Sequence, residues 1–259
     1  MASPELIRGL QERAARALPA QRVEDAQGWW LRHAPRCAWW VGTVLPHGGA
    51  GPDDLVRRVA RAETFYAAHR AVARFQITPG VCPPELDALL AGRGYRRESP
   101  VSLQAAPTAR VLDGAPPPTA PPPTAALRVH VDDRPTRGWF DAWLAVSGHG
   151  ADPRAEWDLL ERVDRPSGYA SAVIGGDVVA VGRAVADTGW AGLFGMATLP
   201  RARGQGAARR VLAALAGWAD AHRADRMYLQ VEYDNAAALR LYGRAGFTEL
   251  CGYHYRTAP

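Results

Sequence analysis

The chain of 259 residues contains no lysine, and its 31 basic residues are all arginine. That excludes Schiff-base catalysis and a P-loop, both of which need a primary amine at a set position. Cysteine is scarce. Cys37, Cys82 and Cys251 are odd in number and far apart, which offers neither a disulfide framework nor a zinc spacing and fits a reducing cytoplasm. No run of 18 apolar residues is present, so no membrane span is expected. The start, Met-Ala-Ser-Pro-Glu, lacks a basic-then-apolar leader, and a cytoplasmic location is expected.

What is abundant is ordinary. The chain is 47% hydrophobic and 22% charged, enough to bury a core without a metal or disulfide staple. A net charge of +5 and a pI near 9.4 would suit nucleic acid. Arginine without lysine, alongside 26 glycines and 21 prolines, points instead to a compositional bias, so no nucleic-acid partner is expected.

From Pro107 to Ala126 the chain reads PTARVLDGAPPPTAPPPTAA, which predicts an extended polyproline-type spacer. It divides the chain into 1–106, a linker at 107–126, and 127–259. In the last segment, hydrophobic periodicity predicts a strand over Leu127–Val131 and helices over Trp139–Ser147 and Arg154–Val163. Strands follow over Tyr169–Ile174 and Val178–Ala186, joined at a Gly175-Gly176-Asp177 turn, then a third over Trp190–Leu199. A helix over Ala207–His222, a strand over Met227–Glu232, a helix over Asn235–Ala245 and short strands at Phe247–Leu250 and Gly252–Arg256 complete a mixed α/β fold. The first segment predicts helices at Pro4–Leu18, Leu55–His69 and Glu85–Ala91. Its predicted strands are Trp29–His33, Ala38–Leu45, Arg74–Thr78 and Pro100–Gln104.

Two local features carry chemistry. In LPRARGQGAARRVLAAL, from Leu199 to Leu215, a strand enters a glycine turn that opens a helix. Free N–H groups and the positive dipole end make an anion site there, and Gly204 and Gly206 let backbone approach a ligand. Arg201, Arg203, Arg209 and Arg210 gather at that end, where each cation costs ~0.3–1 kcal/mol unless a polyphosphate is bound. A dinucleotide fold is disfavoured, because Arg209 replaces the small residue that helix packing needs and too little chain follows Glu232. The second feature is LQVEYDNAAALRLYGRAGF, from Leu229 to Phe247. Asn235 is a helix N-cap, Gly246 a terminator, and Asn235, Ala238 and Tyr242 share a face.

Together these segments resemble the GNAT superfamily of acyl-CoA-dependent N-acetyltransferases. Arg201-Ala202-Arg203-Gly204-Gln205-Gly206 matches the R/Q-x-x-G-x-G/A pyrophosphate motif, and Asn235, Ala238, Leu241, Tyr242, Gly246 and Phe247 match the later motif without a gap. The resemblance implies splayed strands at Trp190–Leu199 and Met227–Glu232. It implies acetyl-CoA as acyl donor, with its arm along Met196, Ala197 and Thr198 and its pyrophosphate on amides from Arg201 to Ala207, Arg203, Gly204, Gln205 and Gly206 included. Tyr242 would be the general acid, and Asn235 would contact the arm or cap its helix. Glu232 is the first candidate base and His149 the second. No metal is expected. The acceptor would be a small-molecule amine such as an antibiotic, amino sugar, amino acid or polyamine. A protein amine or a non-catalytic acyl-CoA sensor are the alternatives, and the chain would be a monomer or homodimer.

Aligning Gly94-Tyr95 with Gly246-Phe247 suggests that the first half is an incomplete copy, similar to the N-terminal part of actinobacterial tandem GNAT proteins. Leu90 then stands for Tyr242 and Pro83 for Asn235. Asp53 and Asp54 occupy the helix start where the second half has arginines, so only the second half is expected to bind CoA. Trp29, Trp30, Trp39 and Trp40 are expected to pack between the halves or line the acceptor pocket.

Overall fold

The computed structural model describes residues 2–49, 51–114, 127–147 and 150–259, without the side chains of 52 and 53. His149, Asp53 as a side chain and the proline clusters of the spacer lie outside the described residues. In chain order the elements are α1 (Pro4–Ala17), β1 (Arg22–Ala26), β2 (Trp29–His33), β3 (Val44–Pro46), α2 (Pro52–Ala68), β4 (Arg74–Ile77), α3 (Leu86–Gly92), β5 (Arg96–Pro107) and α4 (Thr108–Asp113). There follow β6 (Arg128–Asp132), α5 (Arg137–Ser147), α6 (Pro153–Glu161), β7 (Ser167–Ile174), β8 (Asp177–Asp187), β9 (Trp190–Thr198), α7 (Ala207–Ala221), β10 (Arg226–Glu232), α8 (Ala236–Arg244) and β11 (Thr248–Thr257).

The described strands form one mixed sheet in the order β1-β2-β3-β4-β11-β5-β10-β9-β8-β7-β6. The two halves exchange strands at its centre. β5 runs antiparallel to β10 over Arg226–Pro107 to Glu232–Val101, and β11 lies between β4 and β5, antiparallel to both. Each half thereby fills a sheet edge that the other would leave open.

Among the described residues the core falls into four clusters, one of them shared between the halves and one formed by Trp139 and Phe140 of α5 against Tyr169 and Val181. α7 lays Val211, Leu215 and Ala219 on the second half of the sheet, and α2 lays Leu55, Val59 and Tyr66 on the first. The shared cluster joins Ile7 and Leu10 of α1 to Val101, Leu103, Tyr228 and Tyr253. Fully burying a side chain such as Leu10 contributes ~1.5–3 kcal/mol.

Several expectations need correction. Ala38–Leu45 is not a continuous strand: Trp39–Val41 forms a 3-10 turn and only Val44–Pro46 joins the sheet. Trp39 and Trp40 are therefore presented by a loop rather than by alternation along a strand. The predicted extended spacer begins with a helix, because Val111 of α4 is buried in the α7 core and Thr108 hydrogen-bonds the Ala224 carbonyl. The two short terminal strands are one strand, β11, irregular near Leu250 and His254. β1 was not expected at all.

Candidate active site

β9 and β10 pair in parallel only from Trp190–Arg226 to Leu193–Leu229. Past that point each is held on its outer edge alone: β9 by β8 as far as Thr198, β10 by β5 as far as Glu232. The inner edges diverge. A bulge in β9 helps, since its register against β8 steps between the Phe194 and Ala197 pairs and Gly195 takes φ +61°. The left-handed conformation there is one that glycine adopts without strain.

Two cavities meet in this wedge. One, of about 710 Å³, is lined by Met196, Ala197 and Thr198, by Arg203, Gly204, Gly206 and Ala207, and by the inner face of α8. The glycine turn has Gly204 and Gly206 at φ +76° and +78°, and Gly206 caps α7 without a side-chain hydrogen bond. The amides from Gly204 to Arg209 have no acceptor among the described residues; the first bonded amide is that of Arg210, to the Gly206 carbonyl. Six N–H groups in the turn and the first residues of α7 are thus left without a described acceptor, an arrangement suited to a phosphate chain.

The arginines divide. Arg203 and Arg209 line the cavity, Arg203 donating to the Thr198 carbonyl (3.4 Å) and Arg209 to that of Gly114 (2.7 Å). Arg201 turns out to an ion pair with Asp177 (3.2 Å), and Arg210 donates to the Leu127 carbonyl (3.1 Å). Gln205 folds back on the Arg201 carbonyl (2.9 Å). Sequence reading passed over Arg240 and Arg244, which line the same cavity from α8. Their i, i+4 spacing was visible, but nothing local said which face of α8 would look toward α7.

The second cavity, of about 380 Å³, lies on the other side of the wedge. Both halves of the chain build it. Leu18, Trp39, Trp40 and Val101 come from the first; Trp139, Trp143, Glu156, Arg183 and Phe194 come from the second, with Tyr253 and Tyr255 of β11. The loop carrying Trp39 and Trp40 is tied to α6. The Arg36 carbonyl accepts from the Asp152 amide (2.8 Å), and the Ala38 amide donates to the Glu156 carboxylate (2.6 Å). Burial pushes the Glu156 carboxyl above its ordinary value.

Met196, Asn235, Ala238 and Tyr242 line both cavities and mark their junction. Asn235 caps α8, its side-chain oxygen accepting from the Ala238 amide (3.1 Å). Tyr242 is 6% exposed, packs edge-on against Phe247, and its hydroxyl has no hydrogen-bond partner among the described residues. Burial pushes its pKa up to about 12. Glu232 stands at the mouth of the second cavity, where partial burial and then Asp234 raise its carboxyl. Among the described residues no three metal-ligating side chains cluster, and no helix is long and apolar enough to cross a membrane.

Comparison with known proteins agrees with this architecture. Residues 130–247 match the acetyltransferase (GNAT) family model. The chain is 24% identical over 256 residues to an uncharacterized N-acetyltransferase, YobR, of Bacillus subtilis (strain 168), covering 96% of this chain and 98% of that one. Its fold is similar to a GCN5-related N-acetyltransferase from Kribbella flavida (TM-score 0.71, 17% identity, 100% and 96% of the two chains). It is also similar to a tandem GNAT protein from the clavulanic acid biosynthesis pathway (TM-score 0.65, 13% identity, 98% and 87%). Residues 130–247 thus match the acetyltransferase (GNAT) family, and the fold of the chain is similar over nearly its whole length to that of a tandem GNAT protein.

Proposed function

We propose that the protein transfers an acetyl group from acetyl-CoA directly to the amine of a small-molecule acceptor. The observation that carries this reading is the meeting of two cavities at one buried, unpaired phenol, Tyr242. The larger cavity fits the donor. Its outward amides and Arg203, Arg209, Arg240 and Arg244 suit phosphates, and the strand edge at Met196–Thr198 has no partner on the β10 side among the described residues. Acetyl-CoA would supply an activated thioester at the junction.

The chain's own groups then have separate tasks. The edge amides of β9 hold the arm by strand-like pairing and offer donors to developing oxygen charge. Tyr242, protonated throughout the neutral range, donates to the departing sulfur. Glu232 accepts the proton that the incoming ammonium must lose, its raised pKa improving it as a base. The smaller cavity excludes water around the amine. Its modest volume and the wall that the Trp39–Trp40 loop adds favour a small molecule over a protein amine.

The test is a calorimetric titration of the full chain with CoA, then an amine panel followed by thiol release. Micromolar binding and acceptor-dependent release are expected. Failure to bind CoA in dilute buffer refutes the donor assignment, and tight CoA binding with no transfer to any amine would make the protein a sensor instead.

A further inference from the structure

Among the described residues Arg183 is the one guanidinium in the wall of the smaller cavity. It projects from β8 opposite Phe194, the residue at which β9 parts from β10. The residue is 1% exposed. Its Nη2 donates to the Ala17 carbonyl at the end of α1 (2.8 Å), and the guanidinium lies 5.1 Å over the Phe194 ring. Nη1 is buried and, among the described residues, finds no hydrogen-bond partner in bonding geometry. The Tyr169 phenol lies nearest, within hydrogen-bonding influence of the group, followed by Tyr228 and Glu156, and among the described residues no carboxylate forms an ion pair with it. Glu156 is committed to the Ala38 amide.

A buried cation without a counter-charge is costly, and a donor left unsatisfied adds to the cost. Docking α1 accounts for Nη2 and leaves Nη1 unexplained. The rest of the lining is mostly aromatic and aliphatic, with Trp39, Trp139, Trp143 and Phe194 around it; of its two carboxylates, Glu156 is taken by the Ala38 amide and Glu232 is left to meet an amine. A polycationic acceptor would find few partners here. An apolar body with one amine and one anionic group would find one of each.

Building on the acetyl-transfer reading, we infer that the acceptor is an amine that also carries a carboxylate, with an apolar or aromatic body, and that Arg183 Nη1 receives that carboxylate. Arg183 is a specificity-determining residue in this scheme. The amine end lies toward Glu232 and Tyr242, and the body lies among the indoles.

Matched acceptors test this without any mutation. Phenylalanine against phenethylamine and tryptophan against tryptamine differ only in the carboxylate. With saturating acetyl-CoA, the full chain should favour the carboxylate partner by at least about tenfold in kcat/KM, mainly through KM. In Arg183→Met that ratio should fall toward one, while CoA binding persists; Arg183→Lys should keep part of it. A purely structural arginine would weaken both partners equally and leave the ratio intact. Equal or better use of the decarboxylated amines by the unmodified protein overturns the inference, as does a folded Arg183→Met that keeps the preference. Should Arg183→Met not fold, the unmodified protein decides alone. Should no amine be acetylated, indole fluorescence titrations with the same pairs decide: preferential binding of the carboxylate ligands upholds the inference, and equal or absent binding overturns it. Loss of CoA binding, by contrast, refutes the donor assignment and not this one.

Discussion

Replacing Tyr242 by Phe separates chemistry from stability more cleanly than any other change in this protein. The ring is nearly buried and packs against Phe247, with centroids 5.8 Å apart, so Phe keeps the contact and the volume. The hydroxyl it loses bonds to no described protein group, so no partner is orphaned. The residue lines both cavities and its hydroxyl is not among the buried unpaired atoms, so its loss leaves no desolvation penalty to recover and the variant should melt at nearly the same temperature. Turnover, by contrast, should fall. A positioned general acid contributes roughly 10²–10⁴-fold, equivalent to about 3–5 kcal/mol of barrier. The assay is thiol release at saturating acetyl-CoA and acceptor, run beside a thermal melt and a CoA titration. Because the phenol titrates at about 12, the loss should be constant across the neutral range rather than confined to one limb of the pH profile. Full turnover in a folded Tyr242→Phe would show that the sulfur leaves without help from this residue.

Three other outcomes follow from packing and charge. A Cβ on Gly182 would stand 2.3 Å from Met196 Sδ and 2.9 Å from Val211 Cγ1, so Gly182→Ala should cost ~1–3 kcal/mol and press Met196 into the donor cleft, raising KM for acetyl-CoA in steady-state assays. A chain cut to residues 127–259 loses β5 from between β10 and β11 and exposes both edges; it should aggregate on size-exclusion chromatography, whereas a monodisperse fragment would contradict the strand exchange. The hydrogen bond from His47, the largest influence, and Arg8 beside it hold the Glu12 carboxyl at about 2, below its ordinary 4.5. A lowered carboxyl pKa stabilises the fold above the unfolded value and stops doing so as pH falls through the folded one. Acid titration followed by circular dichroism should therefore show stability declining between pH 4.5 and about 2, less steeply in Glu12→Gln.

The elements that sequence reading placed well are those whose cause is local. α7 and α8 have a glycine turn or an Asn cap at one end and a repeating apolar face, and the structure begins them at Ala207 and Ala236. β1 escaped because it is a sheet edge: Arg22-Val23-Glu24-Asp25 shows no buried alternation, and even Val23 is exposed. β5 was foreshortened because Arg96, Arg97 and Glu98 read as loop, although their neighbours across the sheet are Thr257, Arg256 and Tyr255.

The primary structure alone determined the glycine turn, the cap and the phenol, because each depends on residues within a few positions of one another and on the dipole and amides of a single helix. Only tertiary structure decided which of the four arginines face the larger cavity: each meets a neighbouring carbonyl or carboxylate, and those partners turn Arg203 and Arg209 to its wall and Arg201 and Arg210 away from it. It also decided that β5 and β11 trade places between the halves, and that Arg183, Glu156 and the Trp39 loop line one cavity. Those residues lie far apart in the chain, and partner choice among open strand edges and desolvated charges is settled by the whole molecule at once.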